Sequence, residues 1–296
     1  MDPIRRIRAY ISFILLFITG SIANASEPDS AKTSGQILRP VLSAYTLEAG
    51  SAGVTDTYLS SLRHSGIHLG LGYERMQAMK FDPHKWIMRL HGNLSVENTK
   101  NNPSRNATVW DIDFNIGWDM MFRFRTRTPV WSFTAGGTTD LSLGALYSTR
   151  NGNNPVSAKA SWTIGATGAV ILNTRIGRLP VCARYQLSMP LTGVFFSPDY
   201  GELYYEIYLG NHSGLAHAAW PGNFFRLDNR LSVDLRFGAT IVRVGYSGRI
   251  FSSKASGLIT RTSSHCLSLG FACEWLSLGT SRNRRLNDAQ IISALY

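Results

Sequence analysis

Between residues 192 and 225 the chain gathers acids, histidines and a serine: Asp199, Glu202, Glu206, His212, Ser213 and His217. A carboxylate oriented on an imidazole is the minimum for general-base hydrolysis, and a hydroxyl beside that imidazole is the minimum for covalent catalysis. The spacing argues for neither. His212 and Ser213 are adjacent, so in an extended chain they point to opposite sides, and no interval sets a geometry between the acids and His212 or His217. A surface hydrolase of protease or phospholipase type using these residues is the alternative to a non-enzymatic protein. The same stretch carries Tyr200, Tyr204, Tyr205 and Trp220, each with a wide apolar face and a polar handle that suit binding. No His/Cys metal spacing, phosphate loop or basic stripe interleaved with aromatics occurs. Neither a metal, a cofactor nor nucleic acid is expected.

A second set of charged residues is spread through the chain in strict alternation with apolar ones. It comprises Glu74, Arg89, His91, Asp111, Asp113, Asp119, Arg184, Asp228, Arg230, Asp234, Arg236 and Arg243, with Asp140, Arg249 and Glu274 in the same phase. The pattern is clearest over residues 109–124, where Trp110, Ile112, Phe114, Ile116, Trp118, Met120, Phe122 and Phe124 fall on every even position. A period of two means a strand whose faces meet different surroundings. Its length exceeds the ~5–6 residues of a usual soluble strand and suits the ~9–11 residues of a tilted outer-membrane strand. The apolar face then meets lipid and the charged face a narrow lumen, where charges removed from bulk water must pair. A network of ion pairs filling the lumen is the expectation, since a wide aqueous channel needs about 16–18 strands.

Ten such segments are found: 38–49, 66–77, 86–96, 109–124, 130–147, 159–176, 181–191, 227–237, 240–251 and 265–278. Tight turns at 126–129, 177–180 and 238–239 alternate with long polar connections at 97–107, 148–157, 192–225 and 252–264, the short-periplasmic, long-extracellular pattern of bacterial barrels. The expected fold is all-β: a transmembrane, antiparallel, up-and-down β-barrel of about ten strands, with twelve as the alternative. The loop at 192–225 exceeds the ~12–15 residues typical of unstructured connections. It is expected to fold, with Leu203, Tyr205 and Ile207 in a short hairpin or a lid.

The N-terminus reads as a secretory signal peptide over residues 1–25, with Arg5, Arg6 and Arg8 before an apolar run and Ala23-Asn24-Ala25 as the cleavage site. Residues 26–37 read as a flexible periplasmic lead-in, 38–279 as the barrel and 280–296 as a periplasmic basic tail. The formal charge of +11 falls to +9 without the leader's three arginines and one aspartate. Dispersed as it is, that charge suits anionic headgroups of outer-membrane lipid better than nucleic acid. A mean hydropathy of −0.06 fits strands that average polar with apolar. Cys182, Cys266 and Cys273 are an odd count for an oxidising compartment. Cys266 and Cys273, about 23 Å apart along one strand at ~3.3 Å per residue, cannot bridge each other, and three free thiols are expected.

With the leader, the strand pattern and the segment Ser197-Pro198-Asp199-Tyr200-Gly201-Glu202-Leu203-Tyr204-Tyr205-Glu206-Ile207 in view, the chain resembles a Bacteroidota family of outer-membrane barrels catalogued as a domain of unknown function. Gly210-Asn211-His212, Gly245-Tyr246 and Ser264-His265 belong to that resemblance, which implies a location and a fold but no activity. The expected partners are outer-membrane lipid and, during biogenesis, periplasmic chaperones and the barrel assembly machinery. The expected role is non-enzymatic: surface interaction, small-solute passage or envelope integrity.

Overall fold

The computed structural model describes residues 37–102, 104–126, 130–152, 154–210, 214–238, 240–276 and 290–295. The signal peptide, residues 26–36 of the lead-in, and His212 and Ser213 lie outside the described residues. The strands are β1 (Ile37–Leu38), β2 (Val41–Asp56), β3 (Ser60–Ala78), β4 (Trp86–Asn101), β5 (Thr108–Arg125), β6 (Trp131–Ser148), β7 (Val156–Ile176), β8 (Leu179–Phe196), β9 (Ala216–Ala219), β10 (Phe224–Phe237), β11 (Thr240–Ala255), β12 (Leu258–Trp275) and β13 (Gln290–Ile291), with one short helix, α1 (Tyr204–Tyr208). Each long strand pairs antiparallel with its neighbours in the chain, β12 pairs with β2, and β10 pairs with β8 over 228–235. Among the described residues, ten long strands therefore close into one barrel, and closure leaves no unpaired edge to be satisfied in lipid.

Register shows why the wall has two faces. One row runs Leu269, Leu47, Leu71, Leu94, Phe114 and Leu143 across six strands, each residue directly opposite the next. Its members are 43–63% exposed on their outward side. The adjacent row, one residue along, runs Ser268, Glu48, Gly70, Ser95, Asp113, Gly144 and Lys159. Apolar surface on that scale has lipid as its only stabilising cover. The fold is that of a transmembrane barrel of the outer membrane.

The strands are longer than the alternation alone indicates. β2 and β3 continue past the expected ends at 49 and 66 to a tight turn at 57–59, and β11 and β12 replace the expected loop at 252–264 with a two-residue hairpin at Ser256-Gly257. Both turn residues have positive φ, 48° and 79°, the conformation a two-residue hairpin needs to match strand twist. These extensions, such as 252–255 and 260–264, are Ser-, Thr- and Lys-rich on both faces. Above the lipid the outer face meets water, so the period of two disappears while the ladder continues.

Apolar layers close both ends. At the end carrying the chain termini, Leu42, Met76, Ile87, Met121, Ile171, Cys182 and Ile241 converge inside the barrel. Residues 290–295, read in sequence as part of a free tail, return to this layer: Gln290–Ile291 pairs parallel with Ile37–Leu38, and Ile292, Ala294 and Leu295 are buried. The Arg123 guanidinium donates to the Ser293 and Ala294 carbonyls (2.8 and 2.6 Å), and the Asn173 amide donates to the Leu295 carbonyl (2.9 Å). At the loop end, Val54, Leu59, Val109 and Leu146 form one apolar cluster, and Phe195, Ala219 and Phe224 another.

Candidate functional site

Between these layers the lumen is lined by ion pairs, which inward parity brings together from all ten long strands. Glu74 on β3 accepts from Arg184 (2.6 Å) and Arg243 (2.5 Å) and lies 3.5 Å from Arg89. Arg243 also forks onto Asp234 at 2.6 and 2.7 Å, the bidentate geometry that makes Arg–carboxylate pairs strong. Arg89 donates to Asp119 at 2.5 Å, and His91 Nε2 lies 3.5 Å from Asp119 and 3.7 Å from Asp140. Nearer the loop end, Asp228 holds Arg226 (2.5 Å) and Arg249 (2.7 Å), Lys159 bridges Asp111 (2.6 Å) and Asp113 (2.7 Å), and Arg230 lies 3.6 Å from Glu48. Arg236 pairs with Glu274.

All twelve residues of the alternating charged set thus stand in ion pairs or contacts of this kind, while Glu48, Lys159 and Arg226 join them and Glu97 pairs separately with His68, none of these four having been singled out. A parity rule finds those four: Glu48 follows the outward Leu47, Glu97 follows Val96, Lys159 lies three positions before the outward Trp162, and Arg226 precedes Leu227, so each faces inward once its strand is extended. The empty space left is small. One cavity of about 50 Å³ is bordered by Glu48, His68, Arg89, Asn93 and Arg230, and another of about 60 Å³ by Lys159, Arg226, Arg249 and Phe196. Each has room for a few waters at most, since a water occupies ~10–15 Å³ on this measure.

The loop end is roofed. Asp56 closes the β2–β3 turn by accepting the Tyr58 and Leu59 amides (2.9 and 3.0 Å), and its other oxygen accepts the Thr260 hydroxyl at 2.7 Å. From that turn the Tyr58 hydroxyl donates to the Glu202 carbonyl at 2.9 Å, and its ring meets Tyr204 edge-on at 5.7 Å. The Tyr204 hydroxyl in turn accepts the Ala158 amide at 2.6 Å. Burial, with the charges of Glu202, Asp56 and Glu206 nearby, pushes the Tyr58 hydroxyl up to about 12, and burial raises that of Tyr204. The 192–225 stretch therefore does fold, but as helix α1 and strand β9 rather than as a hairpin through Leu203, Tyr205 and Ile207. A five-residue helix is shorter than the window in which a 3.6-residue period shows.

Among the described residues, the acids of this stretch and His217 do not converge. Glu202 accepts the Asp199 amide (3.0 Å) and Glu206 the Leu203 amide (3.0 Å), the latter steadying the first turn of α1. His217 Nε2 lies 3.1 Å from the Ser197 carbonyl, with its ring on Phe195. Of the aromatic set, Tyr204 is turned inward, while Tyr200 is 77%, Tyr205 66% and Trp220 59% exposed, as is the neighbouring Tyr208 at 84%. Among the described residues no group of three or more His, Cys, Asp or Glu is placed to hold a metal ion.

The fold is similar to solved outer-membrane barrels. The outer membrane protease OmpT from Escherichia coli is 7% identical with a TM-score of 0.41, covering 83% of this chain and 99% of that one. Neisserial surface protein A is 10% identical at a TM-score of 0.31, covering 79% and 97%, and the translocator domain of the autotransporter NalP from Neisseria meningitidis is 8% identical at 0.34, covering 90% and 96%. At these scores none of them bears on activity. No curated protein matches the sequence. A family model matches residues 10–282, nearly the whole chain, and the protein belongs to that family, described as "Protein of unknown function (DUF3316)".

Proposed function

We propose that this protein is a closed, non-enzymatic outer-membrane scaffold whose working surface is the loop-end cap and not the lumen. One observation carries the reading: the cavities found between the ion pairs hold about 50 and 60 Å³, and clusters of buried apolar residues stand at both ends. The cap supplies what a binding surface needs. Tyr200, Tyr205, Tyr208 and Trp220 stay exposed on a segment that Tyr58 and Tyr204 anchor from beneath, so a partner meets aromatic side chains on a backbone already ordered. In this reading the chain termini lie in the periplasm, the leader is removed after Ala25, and chaperones and the assembly machinery deliver the barrel to lipid whose anionic headgroups meet its basic rim. The Bacteroidota envelope implied by the sequence resemblance is its setting.

Replacing Tyr200, Tyr205, Tyr208 and Trp220 together by Ser tests the cap. With a photoreactive residue placed at position 209, exposed beside the cap aromatics, in both proteins, the variant should assemble with unchanged heat-modifiable migration and lose the surface partner that the otherwise intact protein cross-links. Retention of that cross-link by the variant sinks the reading. N-terminal sequencing of the mature protein checks the processing site, with Ser26 expected first.

A further inference from the structure

A second cluster in the lumen lies off the ion-pair network. Cys266, Gly50, His68 and Glu97 stand directly opposite one another in a single row across β12, β2, β3 and β4. Glu97 Oε1 lies 2.8 Å from His68 Nδ1, which sets that nitrogen as the donor and leaves Nε2 as the basic one. Gly50 puts no side chain between His68 and Cys266, which the register places on the same inward face on either side of it. Both residues are buried, at 3% and 2% exposure, and Nε2 has no hydrogen-bond partner of proper geometry. Room beside the ring is the 50 Å³ cavity, which it borders together with Glu48, Asn93 and Ser264.

A thiol, a base and an orienting carboxylate in one row are the parts of an activated sulfur nucleophile. The cavity decides the substrate class, because it excludes an acyl chain or a peptide and admits something of the size of a few waters. We propose that Cys266, His68 and Glu97 form a buried thiol site oxidised by hydrogen peroxide or an oxidant of similar size. His68 Nε2 takes the thiol proton, and the sulfur electron pair attacks one peroxide oxygen. The S–O bond forms as the O–O bond breaks, and the departing hydroxide recovers a proton from the imidazolium and leaves as water. The sulfur loses two electrons, the peroxide gains them, and Cys266 becomes a sulfenic acid. Glu97 is a positioning residue that holds the ring and balances its transient charge.

The test treats the folded, full-length protein in detergent with hydrogen peroxide, traps sulfenic acid with dimedone, and reads each cysteine by mass spectrometry. Cys266 should label ahead of Cys182, which is equally buried but has no imidazole in its row. His68→Gln should slow Cys266 by at least about tenfold, the low end of what a lost general base costs being ~100-fold, and leave Cys182 unchanged. Glu97→Gln should displace the pH profile of Cys266 labelling. Equal rates at Cys266 and Cys182 in the unmodified protein, or an unchanged Cys266 rate in a His68→Gln protein of native heat-modifiable migration, overturns the proposal. If His68→Gln does not fold, the order of labelling in the unmodified protein decides it alone.

Discussion

Arg243 joins three strands through one side chain, forking onto Asp234 of β10 and reaching Glu74 of β3 from its own place on β11. All three residues are almost fully buried, so removing the cation takes from Asp234 the guanidinium that forks onto it and leaves Glu74 with Arg184 and Arg89 alone, in a medium that cannot solvate the loss. Arg243→Met is expected to cost about 3–5 kcal/mol, the range for breaking a buried pair by deleting one partner. Lys85–Asp82, the exposed pair at 3.9 Å, gives the contrast: Asp82→Asn should change stability by less than ~1 kcal/mol. Both are measurable as shifts in the guanidinium unfolding midpoint. Tyr58 makes a prediction in pH. Its pKa is raised from 10.0 to about 12 in the fold, so the fold favours the protonated form. That contribution is complete below pH 10 and is lost as pH rises through 12. The difference between absorbance titrations of the native protein and Tyr58→Phe should show one tyrosinate appearing near pH 12, whereas a difference centred at pH 10 would place Tyr58 in open water.

The elements were unequally legible. The ten strands follow from alternation wherever lipid and lumen differ, as at Trp110 to Phe124, and antiparallel closure of the last long strand on the first, β12 on β2, follows from the even count. Where both faces meet water or protein the signal fails, which is why Glu97 and Arg226 read as loop and the Ser256-Gly257 hairpin went unseen. The terminal segment was illegible for another reason. Ile291, Ile292, Ala294 and Leu295 come too few and too late, after Arg282, Arg284 and Arg285, to show a period, and their burial depends on an apolar ring assembled from eight strands distant in sequence. Leu295→Ala should therefore cost only about 2 kcal/mol, at the low end of the ~2–5 kcal/mol for a buried leucine, because the segment detaches rather than hold a cavity open. Truncation after residue 289 should leave an assembled barrel, since no rung of the ten-strand ladder lies beyond Trp275. Loss of assembly would instead make residues 290–296 part of the folding nucleus.

For the molecule as a whole, the charged set expected from the sequence to fill the lumen stands there in ion pairs. A ten-strand barrel is narrow enough for side chains to span, and inward charges that meet across it neutralise one another instead of an ion in transit. Three barriers follow in series: the terminal apolar layer with residues 290–295, the ion-pair layer from Glu74 to Asp228, and the cap clamped by Tyr58 and Tyr204. The middle barrier is the account's central claim, because it does not depend on either end staying shut. Single-channel recording in planar lipid bilayers tests it, using the intact protein and the chain truncated after residue 289. Neither should show stepwise conductance above the lipid baseline, and Glu74→Ala combined with the truncation should open intermittent small steps. Steady channels in the intact protein, or in the truncated chain with the ion-pair layer untouched, would contradict it.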